Sequence, residues 1–75
     1  MVNKVKKYLK TLSKDEIKKL VQHPDLTVIE KWLIYYCFAE NRMVVNTCRK
    51  LGISYAQYTI TKNIALTKLY YIYLV

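Results

Sequence analysis

Two kinds of side chain in this sequence could do chemistry, and they are very unequally arranged. The reactive groups are few: one His, two Cys and five Asp+Glu in 75 residues. A nucleophile needs a base within reach and usually a third group to orient that base. No pattern joins His23 to Cys37, Cys48 or a carboxylate in that way. The two cysteines do not form a Cys-x-x-Cys pair, and three Cys and His residues fall short of the about four ligands of a structural zinc site. One glycine is too few for a phosphate-binding or dinucleotide loop. The expectation is therefore no enzyme, no metal and no cofactor, with Cys37 and Cys48 as reduced core residues.

The second kind is the segment Leu51-Gly52-Ile53-Ser54, which lies between two helical patterns. Gly52 can take the left-handed geometry that ends a helix. Ile53 can fill the angle between the helices, and Cys48 is small enough to let them approach. Ser54 can cap the next helix with Gln57 as its capping-box partner. This is the helix-turn-helix pattern, which turns a helix N-terminus toward a phosphate or a base edge. Tyr58 is then the inward residue one turn into the second helix.

The rest of the chain must hold that turn in place. Val5, Tyr8, Leu9 and Leu12 recur at helical spacing opposite Lys4, Lys6, Lys7 and Lys10. Ser13 to Glu16 and Thr27 to Glu30 each read as a capping box that starts a helix. His23-Pro24 ends the first of these, because the proline ring disfavours α geometry before it. The second is predicted to run from Val28 to Glu40. Its apolar face is Ile29, Trp32, Leu33, Tyr36 and Cys37, widened by Val28, Phe38 and Ala39, with Trp32 as the central core residue. Asn41-Arg42 reads as a break, Met43 to Leu51 as a short helix, and Tyr55 to Tyr73 as the last. The expectation is one all-α domain over residues 1–75 of about five helices. Residues 1–25 supply the N-terminal helices and 26–75 the helix-turn-helix core.

Composition agrees. Hydrophobic residues make up 53%, too many for a disordered basic tail, and a single Gly and Pro argue against a turn-rich β fold. The net charge of +8 attracts nucleic acid, anionic membranes or acidic proteins. A secretory signal is not expected, and Trp32 to Ala39, the longest apolar run, is less than half a membrane span. A cytoplasmic protein that does not enter a membrane follows. The end Leu69-Tyr70-Tyr71-Ile72-Tyr73-Leu74-Val75 is more apolar than one helix face needs. Part should pack on the N-terminal helices, and the surplus suggests a protein interface, with homodimerisation as the first candidate.

Residues Leu26 to Leu69 resemble the −35-reading region 4 of bacterial sigma factors and the small phage late-gene transcription regulators that share its helix-turn-helix. Thr27 and Glu30 are similar to the start of that family's support helix. Phe38-Ala39-Glu40-Asn41 falls where the family has a Phe-x-Glu-Gly stretch, and Cys48-Arg49-Lys50-Leu51-Gly52-Ile53-Ser54 matches Ala-x-x-Leu-Gly-Ile-Ser in spacing. The chain departs at Asn41, which replaces a glycine, at Val44 and Val45, where polar or acidic residues are common, and at Tyr58, usually aliphatic. The resemblance implies a sequence-specific, double-stranded DNA-binding regulator of transcription, phage or mobile-element encoded, with RNA polymerase or another host protein as a further partner. By position it implies a base-reading face of Ser54, Tyr55, Ala56, Gln57, Thr59, Ile60 and Asn63. Arg42, Arg49, Lys50 and Lys62 would hold phosphates. Methyl-bearing side chains and Asn63, without an Arg for guanine, favour A·T-rich sites. The competing expectation is a small helical interaction protein that binds a host protein through its aromatic C-terminal end.

Overall fold

A computed structural model describes all 75 residues, and they form five helices and no strand. The helices are α1 (Val2–Lys10), α2 (Lys14–Leu20), α3 (Val28–Ile34), α4 (Val44–Leu51) and α5 (Tyr55–Leu69). The expected all-α fold of about five helices is what the chain adopts. Helix α5 packs against α1, α3 and α4, and so runs through the middle of the molecule.

Three of the helices start where local chemistry directs. Ser13, Thr27 and Ser54 each accept a hydrogen bond from the amide three residues on. Glu16, Glu30 and Gln57 each accept the amide of the capping residue in return. These reciprocal bonds satisfy amides that a helix start otherwise leaves free. Met43 caps α4 without a side-chain bond and is exposed, so that helix begins one residue later than its apolar pattern suggests.

Two helices run on into a turn of different character. Residues Tyr35–Ala39 continue α3 as a wider π-helical turn, and Tyr70–Leu74 do the same after α5. The Glu40 amide donates to the Tyr35 carbonyl at 3.2 Å and the Arg42 amide to the Tyr36 carbonyl at 2.9 Å. Asn41 lies between these bonds at φ 52°. Asparagine tolerates this left-handed geometry better than most residues. Asn41 thus takes a backbone shape that glycine adopts most readily.

The core is Val5 and Leu9 of α1, Ile17 and Leu20 of α2, Leu33, Ile34 and Tyr35, and Tyr58, Ala65, Leu66 and Leu69 of α5, closed by Val21 and Leu26. Trp32 is not its centre. It is half-buried at the rim, its ring stacked on Tyr36 and edge-on to Tyr35. Val28 and Ile29 also face solvent, at 70% and 42% exposure. The reason is the phase of α3: Glu30 turns inward at 4% exposure, which takes Leu33 and Ile34 to the core and leaves Val28 and Ile29 outside. Cys37 and Cys48 are half-buried rather than core residues.

In α4 the fully buried side chain is Thr47, and its hydroxyl has no hydrogen-bond partner. An unsatisfied buried hydroxyl costs about 1–3 kcal/mol, and valine has nearly the same shape without it. Thr47→Val is expected to gain about 1 kcal/mol in urea unfolding and to raise Tm by about 5 °C. A loss of stability would mean that the hydroxyl is satisfied after all.

Candidate nucleic-acid interface

The turn between α4 and α5 has the expected geometry. Gly52 sits at φ 67°, ψ 37°, with its amide bonded to the Arg49 carbonyl and the Ile53 amide to the Cys48 carbonyl. Nothing lies within 4 Å of where a Cβ would stand. Glycine is therefore required here by backbone geometry and not by space. The Cys48 thiol lies 3.9 Å from the Ser54 carbonyl, which places it against the cap of α5.

Helix α5 is fixed by what it buries. Tyr58, Ala65, Leu66 and Leu69 point inward. The Tyr58 hydroxyl lies 3.5 Å from the Cys37 sulfur. Burial, reinforced by that thiol, pushes the Tyr58 phenol far above its ordinary range, so it stays protonated. Ser54, Tyr55, Ala56, Gln57, Thr59, Ile60 and Asn63 are all exposed, with Tyr55 at 70% and Ile60 at 60%. They lie along the first half of one helix and continue into Ile64.

The polar groups of this face are partly engaged. Gln57 gives its oxygen to the cap and keeps its NH2 free. Thr59 donates to the Tyr55 carbonyl at 3.2 Å and can still accept. Asn63 has no side-chain hydrogen bond within the chain, and the amides of Tyr55 and Ala56 have no acceptor there. The face thus offers amide donors and acceptors between methyl and aromatic surfaces, which is the chemistry that base edges and thymine methyls require.

The four candidate phosphate-holding residues do not gather at one place. The Arg42 Nε–H is bonded to the Glu40 carboxylate, and its guanidinium lies 5.1 Å from the Tyr36 ring. Lys50 reaches the same ring at 5.7 Å. The Arg42 hydrogen bond, with Lys14 and Lys50 nearby, holds the Glu40 carboxyl below its ordinary range. Arg49 borders an apolar hollow with Val44, Val45, Cys48, Gly52, Ile53 and Tyr55. Lys62 lies over the rings of Phe38 and Tyr58 at 5.6 and 5.5 Å. No Asp or Glu occurs after Glu40, so the helix-turn-helix carries basic charge only.

One pairing made by the far end of α5 has no signature in the sequence. Lys68 of α5 donates to the Glu30 carboxylate at 2.8 Å and to the Asp25 carbonyl at 2.9 Å. Burial acts to raise the Glu30 carboxyl, but the Lys68 and Thr27 hydrogen bonds outweigh it and hold the group below its ordinary range. The partners stand 38 residues apart, so only the fold brings them together. His23 is a helix-end residue whose Nδ1 accepts the Asp25 amide at 3.1 Å. No helix is long and apolar enough to cross a membrane. Comparison with protein-family models, curated proteins and solved structures finds no match to the chain.

Proposed function

We propose that this chain is a sequence-specific DNA-binding regulator of transcription, phage or mobile-element encoded and acting in the bacterial cytoplasm. It reads the major groove of double-stranded DNA with α5. The observation that carries this reading is the exposed face from Ser54 to Asn63. It is set behind a left-handed Gly52 and held by an inward Tyr58 in a segment free of acidic residues. Thymine methyls would meet Tyr55, Ala56 and Ile60, and Asn63 would pair with adenine. Arg42, Arg49, Lys50 and Lys62 would hold phosphates to either side. We assign no catalytic step, metal or cofactor.

Selection of bound duplexes from a random library at two salt concentrations tests the reading. The expected result is an A·T-rich motif that persists at the higher salt. Tyr55→Ala, Thr59→Ala and Asn63→Ala together should reduce specific binding to the non-specific level, each base pairing being worth about 1–3 kcal/mol. Replacing any one phosphate-holding cation by Gln should flatten the log–log salt slope by about 0.9. Unselective binding that vanishes with salt would mean that charge alone attracts DNA.

A second reading rests on the C-terminal end. Tyr73 donates to the Leu20 carbonyl at 2.8 Å and so ties this end to α2, yet Tyr71 and Val75 remain 64% and 83% exposed. That surface suits a protein partner, either a second copy or the transcription machinery. A monomer mass unchanged up to tens of micromolar would remove the homodimer.

A further inference from the structure

We infer that a lysine-rimmed hollow between α1, α2, the π-helical turn after α3 and α5 binds a compact oligophosphate group, two or three phosphates joined in a row. The hollow has a volume of about 500 Å³. Lys6 and Lys10 of α1, Lys14 of α2 and Lys62 of α5 border it, and Leu12, Cys37, Phe38 and Ala39 are among the apolar groups lining it. No acidic residue lines it.

Three features point to an anion. Lys6 and Lys10 stand one helical turn apart, where like charges destabilise a helix. Neither they nor Lys62 has a carboxylate partner, and Lys14 alone has one, Glu40 at 3.7 Å. Lys62 instead rests on Phe38 and Tyr58. The fold therefore brings lysines from three helices to the border of one concavity, and of the four only Lys14 has a carboxylate to offset their repulsion. An anion placed there relieves that repulsion and gains charge-assisted hydrogen bonds.

The shape selects the class of anion. Duplex DNA is a rod with its charges spread along the axis. It suits the exposed face of α5 better than a hollow with cations on several sides. A chain of adjacent phosphates concentrates several charges in a space of this size. The same group occurs on a nucleoside triphosphate and in free tripolyphosphate.

Calorimetric titration of the full chain at physiological salt tests the inference, with ATP, tripolyphosphate and orthophosphate as separate probes. Saturable one-to-one binding of ATP, of tripolyphosphate or of both supports it, and the stronger of the two identifies the source. Lys6→Gln with Lys10→Gln should weaken that binding at least about tenfold, since removing one charged hydrogen bond is worth about that factor. Lys6→Arg with Lys10→Arg should restore most of it. The control Lys18→Gln with Lys19→Gln lies on exposed positions of α2 outside the hollow and should change it less than about twofold. Equal affinity for orthophosphate, an equal loss in the control, or no saturation at millimolar ATP and tripolyphosphate would overturn the inference. Because the probes contain no DNA, this result is separable from the duplex selection.

Discussion

Lys68→Met is expected to destabilise the protein by about 3 kcal/mol at neutral pH, a large fraction of the roughly 4–11 kcal/mol that a domain of this size has. The substitution keeps the aliphatic stem but leaves the Glu30 carboxylate, 4% exposed, without its cation. It also frees the Asp25 carbonyl. The value is set at the low end of the range for buried pairs because the Lys68 side chain is 34% exposed and water reaches it. Glu30 is held below its ordinary range in the folded chain, so its contribution is present above the unfolded carboxylate value of 4.5 and is lost as pH falls through the folded value. Once Glu30 is protonated, no buried charge remains for Lys68 to neutralise. The cost of Lys68→Met should therefore shrink in acid, as the pH falls below the ordinary carboxylate range. Glu30→Gln, which still accepts the Thr27 amide, should cost less than Lys68→Met at neutral pH. Urea unfolding of the three proteins at neutral and at acid pH measures this. A cost under about 1 kcal/mol, or one that does not change with pH, would refute the role given to the pair.

Tyr58→Ala is expected to cost about 3–5 kcal/mol and to abolish the proposed DNA binding with it, whereas Tyr58→Phe should cost under about 1.5 kcal/mol and leave that binding intact. Tyr58 is the inward anchor of the first turns of α5, at 4% exposure, and its ring also carries Lys62. Truncation leaves a cavity directly beneath the exposed face. Removing only the hydroxyl gives up one weak interaction with the Cys37 sulfur at 3.5 Å. Thermal melts followed by circular dichroism, with duplex binding measured below the lowest melting temperature, separate folding from DNA recognition. Loss of binding in a well-folded Tyr58→Phe would show that the hydroxyl reaches DNA, which its burial contradicts.

Local chemistry was legible in the order of the residues. The three capping boxes, the left-handed Gly52 and the inward Tyr58 follow from side chains within four residues of one another, where spacing alone fixes which groups meet. The exposure of Ser54 to Asn63 follows from the same periodicity once Tyr58 is inward. The rim position of Trp32 was not legible. A run as apolar as Trp32 to Ala39 fits several helical phases, and the phase is chosen by Glu30 turning inward to meet Lys68. Nor does the α4 pattern mark Thr47 as its most buried residue, because that depends on how α4 packs against α3 and α5.

Where helices start, where the chain turns and which half of α5 is free were thus written in the order of the residues. Those are short-range matters of hydrogen bonding and backbone geometry. Packing between helices chose which cation reaches which carboxylate and how α3 is rotated. It also drew Lys6, Lys10, Lys14 and Lys62 around one hollow. Lys6 and Lys10 are neighbours by helical spacing, but Lys62 joins them, and Lys68 meets Glu30, only after the core has set the helices against one another, and no spacing rule encodes that distance.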